Sequence, residues 1–304
     1  MKLILLLFIS FIFSSLPYHS HSICYGPFRD GQSPDGASPT KEELTEDLNI
    51  MTEYWSAIRM YGAQGSTETV LEIIEDKNIN LKLYLGAWIA NEKNDSTAQT
   101  ANINEINKTI ELANRYPHII EAIIIGNETQ VFWTSNKVDY QILENYILYV
   151  KSRTNQPITT ADDFNFWNKT EGLQLASKVD FIMVHIHPLW AGTLLNDAVP
   201  FVSRIFNEIS TLHPNKDIII GETGWATKVH NKGEQAKLIN GTAGIDEQLK
   251  FYNSFNQWSQ KNKVQAFFFE AFDEKWKGGD HPNEVEKHWG MINSDRTQKH
   301  QLNK

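Results

Sequence analysis

Cysteine is nearly missing from this chain: Cys24 is the only one in 304 residues, so no disulfide can form within it. A protein exported on those terms must stabilise itself by burying a large core rather than by covalent staples. Cys24 follows the bulky Ile23 and reads as a strand-buried thiol, not a lipid-attachment site. Long apolar runs are also scarce. The extended one, Leu3–Phe13, follows Lys2 and covers eleven residues. A bilayer span takes about 20 residues, so this run suits the hydrophobic part of a secretory leader. Residues 1–22 are read as that signal peptide, with the small residues Ser20 and Ser22 ahead of the cut, and 23–304 as the mature domain. A secreted or periplasmic protein is expected. Positive charge is in deficit, with 28 Lys and Arg against 37 Asp and Glu, a net −9. That balance argues against nucleic acid and anionic membranes as partners. Linkers rich in Pro, Gly or Ser, internal repeats and low-complexity tracts are absent too, which leaves one monomeric domain.

What is present alternates. Strand-like runs at Ile23–Phe28, Ala57–Tyr61, Leu81–Trp88, Ile119–Gly126, Ile158–Asp162, Val179–His185, Asp217–Gly221 and Val264–Glu270 are separated by helix-like segments. Helices are expected from Thr40, over 66–76, 102–116 and 140–153, near 169–177, and over 198–212 and 246–261. Thr40 followed by Glu43 forms a capping-box pattern at the first of these. Eight such strand units point to an α/β fold, a single-domain (β/α)8 TIM barrel, with a tail too short for a long last helix.

Two of those strands end in the same way. IIIGNE closes at Glu128 and IIIGETGW carries Glu222, each a run of isoleucines broken by glycine and then a glutamate. Continuous β-branched runs mark strands buried on both faces, and the C-terminal tips of barrel strands open onto the functional face. Strands four and seven stand nearly opposite on an eight-strand ring, so the two carboxylates can face each other across its mouth. Paired carboxylates flanking a scissile bond cleave glycosidic linkages, one as acid and one as nucleophile. Asn127, directly before Glu128, is placed to hydrogen-bond a sugar hydroxyl.

Five blocks in order carry a resemblance: CYGPFRDGQSP at 24–34, IRMYG at 58–62, GNE at 126–128, GETGW at 221–225, and FFFEAFDEKWK at 267–277 with EKHWGM at 286–291. Together they resemble glycoside hydrolase family 17, the β-1,3-glucanase family, over nearly all of the mature chain. The first block is similar to the bacterial branch rather than the plant enzymes. The resemblance implies a retaining enzyme acting on laminarin-like or cell-wall β-1,3-glucan through a covalent glucosyl intermediate, without cofactor or metal. It implies Glu128 as acid/base and Glu222 as nucleophile. Glu274 and Lys277 match a Glu–Lys pair beside the acid/base, and Tyr61 and Arg59 match positions that line the sugar site and orient the nucleophile. Phe272 and Trp133 are expected as stacking platforms, and Glu286 matches a glutamate near the same cleft. A glucanosyltransferase, in which a sugar resolves the intermediate, shares all of this chemistry. A glucan-binding protein without turnover is the reading of another class.

The chain departs from plant members after strand six, where His185-Ile186-His187-Pro188-Leu189-Trp190 stands in place of a Tyr-Pro-Tyr string. His187 takes the position of the first tyrosine and can still donate to the nucleophile or a sugar hydroxyl. His185 and His187, two apart, share a strand face, but no third zinc ligand is evident in the sequence.

Overall fold

The computed structural model describes residues 16–302 of the chain. Its eight strands are all parallel and close into a barrel in sequence order, with the last hydrogen-bonded to the first. They are β1 Ser22–Cys24, β2 Ala57–Met60, β3 Lys82–Ala87, β4 Ile120–Asn127, β5 Ile158–Asp163, β6 Ile182–His185, β7 Ile218–Thr223 and β8 Ala266–Phe268. Helices α1 Lys41–Met51, α2 Thr67–Asp76, α3 Ser96–Arg115, α4 Tyr140–Lys151, α5 Phe164–Trp167, α6 Thr170–Ala176, α7 Leu195–Leu212, α8 Gly233–Leu238 and α9 Ile245–Asn262 connect them. The chain folds as the (β/α)8 barrel that its alternation implies.

Local chemistry explains these elements. The isoleucine runs of β4 and β7 are buried between the barrel interior and the helical ring, which is why they need no polar alternation. Thr40 opens α1 with a reciprocal capping box: its hydroxyl accepts from the Glu43 N–H at 3.2 Å, and the Glu43 carboxylate accepts from the Thr40 N–H at 2.8 Å. Helix α7 begins at Leu195, three residues ahead of the expected Ala198, which puts Pro200 beyond its first turn. The missing proline N–H costs one helical bond there, which packing of Val202, Ile205 and Ile209 offsets. Helices α5 and α8 were not anticipated. Both are short, and α5 depends on Asp163, whose carboxylate accepts from the Asn165 N–H.

The strand ladders lose regular register near the C-terminal tips, between Ile124 and Asn127, at Val184/His185, and between Ile220 and Thr223. Such irregularities re-aim side chains, and here they fall where the carboxylates and histidines emerge. β8 ends at Phe268, before Glu270, so that the following backbone turns into the barrel mouth. Cys24 is buried in β1 as expected.

The run Leu3–Phe13 lies outside the described residues. Ser22 is the first residue of β1, and the segment before it is tied to the barrel floor, with the His21 carbonyl accepting from Ser56 N–H and His19 N–H donating to Gln265. Among the described residues no helix is long and apolar enough to cross a membrane.

Candidate active site

Arg59 is the hub of the barrel mouth. Its side chain rises from β2 and is 1% exposed, with the two Nη1 hydrogens shared among the Gly221 carbonyl at 2.8 Å, Glu222 Oε1 at 3.0 Å and His185 Nε2 at 2.9 Å. Nη2 donates to Asn127 Oδ1 at 2.5 Å. One guanidinium therefore ties β2 to β4, β6 and β7, using the planar fork that lysine lacks.

Glu222, at the tip of β7, also accepts from the Tyr61 hydroxyl at 2.8 Å and faces His187 Nε2 at 3.2 Å. Burial alone would push its carboxyl upward. The hydrogen bond and charge of His187 and the Arg59 guanidinium work against burial, and the carboxyl lies well below the usual carboxylate range. Reciprocally, burial pushes the His187 imidazole down, but Glu222, Glu128 and Glu286 raise it on balance. The His187 ring packs edge-on against Phe269 and Trp289.

Glu128 follows β4 with φ +47°, a left-handed conformation uncommon for a residue with a side chain. Its N–H donates to the Ala161 carbonyl at 2.9 Å, and its carboxylate faces His185 Nδ1 at 2.8 Å. The loop after it is held by Asp162 on β5, which accepts from the Gln130 and Val131 N–H groups. Burial, with the charge of Glu128 added, pushes Asp162 up to about 8 despite those donors. An oxygen of Glu128 and an oxygen of Glu222 lie within 4.8 Å of each other, with a His185 nitrogen inside the same radius.

Those three residues form the set among the described residues that could converge on a metal ion. Arg59 argues against a cation there. Its Nη1 already occupies His185 Nε2 and Glu222 Oε1, and a second positive charge would sit against a buried guanidinium. The sequence pairing of His185 with His187 is not a chelate either, because their rings lie 6.4 Å apart and contact different carboxylate oxygens.

Beyond the carboxylates runs a cleft of about 660 Å³, bordered by Tyr61, Trp88, Asn127, Phe269, Trp276 and Glu286 among others. Trp88 and Trp276 are 48% and 41% exposed there. Lys277 lines the cleft and bridges two buried carboxylates, Glu270 Oε2 at 2.6 Å and Glu274 Oε2 at 2.8 Å. Burial opposes the Lys277 charge, but Glu270 and Glu274 raise its affinity for the proton. Burial, with Glu274 adding to it, pushes Glu270 well above the carboxylate range despite Lys277. Glu274 packs so closely on Gly26 that a Cβ there would lie 2.3 Å from its Oε2 and would push the carboxylate aside.

Phe272 is not a stacking platform. It is 1% exposed, edge-on to Tyr25 and beneath the Arg296 guanidinium, because the chain after β8 turns that side chain into the core. Trp133 is 49% exposed beside Phe132 at the tip of the loop after β4, and is not among the residues bordering the cleft. Lys277 is beside Glu270 and Glu274 rather than in contact with Glu128. The sequence reading considered His185 only as a zinc ligand and did not single out Glu270, Trp88 or Trp276. His185 and Trp88 stand at or just past the tips of β6 and β3, and Glu270 follows β8, so the strand-tip rule that located the glutamates would have found them.

The sequence profile of the BtgE/BtgC glycoside hydrolase domain matches residues 22–290. The btgC protein of Aspergillus niger is 33% identical over 279 residues, covering 86% of this chain and 40% of that protein. Glucan endo-1,3-beta-glucosidase btgC of Emericella nidulans is 28% identical over 282 residues, covering 86% of the chain and 42% of its own length. The chain thus spans less than half of these curated relatives. Among solved structures, an endo-laminarinase from Formosa Hel1_33_131 superposes with TM-score 0.79 at 27% identity, covering 90% of this chain and 83% of that one. A glycoside hydrolase family 17 beta-1,3-glucanosyltransferase from Rhizomucor miehei superposes with TM-score 0.73 at 23% identity, covering 91% and 94%.

Proposed function

The chain belongs to the BtgE/BtgC glycoside hydrolase family, and from that premise we propose that it hydrolyses β-1,3-glucan internally, with retention of anomeric configuration. The observation that carries this reading is the approach of Glu128 and Glu222 to within 4.8 Å at their nearest oxygens. Retaining enzymes hold their carboxyl groups about 5–5.5 Å apart, whereas inverting ones need about 6.5–9.5 Å to admit a water. Endo action and the glucan substrate follow the names of the btgC relative and the endo-laminarinase.

Glu222, kept ionised by Arg59, Tyr61 and His187, attacks the anomeric carbon while Glu128 gives its proton to the departing glycosidic oxygen. A glucosyl ester on Glu222 results. Glu128, now a carboxylate, takes a proton from water as the water oxygen bonds to the anomeric carbon and Glu222 leaves. Asn127, with its carbonyl held by Arg59, keeps its amide N–H groups for a sugar hydroxyl, and Trp88 and Trp276 offer flat faces to glucosyl rings. Removal of a leader and export remain part of this proposal, as does placement in the bacterial branch of the family.

Glu222→Ala should abolish turnover of a linear β-1,3-glucan, and azide should restore partial activity on an activated glucoside with a product of inverted configuration. Residual activity above a few per cent of wild type would remove Glu222 from the nucleophile role. Sizing the wild-type products at high oligosaccharide concentration separates the rivals. Products longer than the substrate would indicate a glucanosyltransferase, and no products at all would indicate a binding protein.

A further inference from the structure

We propose that His185 is a positioning residue that decides which oxygen of Glu128 carries the transferable proton. The inference rests on the reading of Glu128 as the acid given above. Arg59 Nη1 lies 2.9 Å from His185 Nε2, and a guanidinium has donors only and stays charged. Nε2 must therefore accept, which puts the imidazole proton on Nδ1. That N–H, 2.8 Å from Glu128 Oε1, donates to the carboxylate.

Glu128 Oε1 is thus occupied, and the mobile proton is left to Oε2, the oxygen free to meet the leaving group. His185 is fully buried and pinned at both ring nitrogens, so it cannot release one contact without breaking the other. The Glu128 backbone is itself fixed in its left-handed conformation by the bond to Ala161. Once Glu128 has lost its proton, the same N–H becomes a charge-assisted donor and keeps the carboxylate in place for the water step. The charged and titratable groups facing His185 are Arg59 from β2, Glu128 from β4, Asp163 from β5, His187 after β6, and Glu222 from β7 at 3.5 Å. Glu222 Oε1 is 3.5 Å from Nε2 and Arg59 Nη1 is nearer, at 2.9 Å, so the guanidinium and Glu128 set the tautomer.

Three variants separate the two contacts. An asparagine amide falls near the Nδ1 position of histidine and a glutamine amide near Nε2. His185→Asn keeps a donor for Glu128, His185→Gln keeps a partner for Arg59, and His185→Phe keeps only the volume. On a laminari-oligosaccharide, Phe and Gln should lower kcat/KM by about 10²-fold, and on an aryl β-glucoside with a good leaving group by less than about 10-fold. The basic limb of kcat/KM should move up by about one pH unit in both, because a donor that favours the carboxylate has been lost. His185→Asn should stay within about 10-fold of wild type on both substrates, with its limb unmoved.

Asn falling as far as Phe, or equal losses on the two substrates, overturns the proposal. Nitrogen-15 shifts of His185 in the wild-type protein provide a check that no folding defect can obscure: Nδ1 protonated is expected, and Nε2 protonated overturns it. Glu128→Gln in the same assay separates the two levels of argument. If it shows no leaving-group dependence, the acid assignment fails and His185 with it. If it does and the His185 variants do not follow, only the present inference fails.

Discussion

At the scale of single residues the site is built around one buried cation. Arg59 has donors only, and it meets acceptors on three other strands, so it sets Glu222 ionised and His185 in one tautomer together. His187 is the pH-sensitive member of the set. Against burial, Glu222, Glu128 and Glu286 raise its proton affinity above the unfolded value. A raised histidine contributes stability that is full below its unfolded pKa, about 6.5, and is lost as pH rises through the folded pKa. The Glu222 carboxyl, held low by His187 and Arg59 against burial, works in the opposite sense. Its contribution is full above about 4.3 and fades as pH falls. The two overlap between roughly pH 4.5 and 6.5. His187→Asn should therefore lower Tm most within that window and progressively less toward pH 9. A Tm gap that does not vary with pH would show that the His187–Glu222 contact carries no charge coupling.

At the scale of elements, close approach of strands matters as much as their apolar sequence. Gly86 on β3 sits where an added Cβ would lie 2.4 Å from the Met60 carbonyl oxygen and 2.6–2.7 Å from the Tyr61 backbone. Those are backbone atoms of the segment that carries Arg59 and Tyr61, and they cannot step aside cheaply. Gly86→Ala should cost stability on the order of 1–3 kcal/mol by overpacking. It should also lower kcat, because Tyr61, which donates to Glu222 at 2.8 Å, is displaced with its backbone. Chemical denaturation and steady-state kinetics on one preparation check both parts. An alanine variant that is less stable but fully active would show that the shift is absorbed outside the site. The wall beyond β3 has its own brace: Glu105 on α3 accepts from the Ala63, Gln64 and Trp88 N–H groups, tying the loop after β2 to the loop that presents Trp88.

At the scale of the whole molecule, closure of the barrel is electrostatic as well as apolar. Asp47 on α1 accepts from Tyr25, Arg29 and Arg296, so the carboxylate of one helix fastens the C-terminal tail to the first strand. Lys277 holds the other side of the same seam, as the ammonium shared by Glu270 and Glu274, which are 0% and 1% exposed. Removing one partner of a buried pair leaves charge without compensation, a loss of about 3–5 kcal/mol. Lys277→Met should destabilise the protein by that order, because two buried carboxyl groups lose the ammonium they share. Urea midpoints of the variant and the wild type test this. A loss below about 1 kcal/mol would mean that the bridge contributes no more than an exposed ion pair.

The amino-acid sequence by itself determined the order of the strands and of the helices other than α5 and α8, the capped start of α1, the burial of Cys24 and the position of Glu128 and Glu222 at strand tips. These follow from periodicity, capping and the continuous isoleucine runs, all of them local. Tertiary structure alone decided which side chains meet. Arg59 and Glu222 are 163 positions apart and His185 and Glu128 are 57 apart, so no spacing rule links them; the closed ring does. It decided that Lys277 answers to Glu270 as well as Glu274, and that Phe272 turns inward beneath Arg296 while Trp88 and Trp276 face the cleft. The physical reason is the irregular backbone past each strand tip, where alternation no longer tells inside from outside and only the neighbouring strand and loop settle the direction of a side chain.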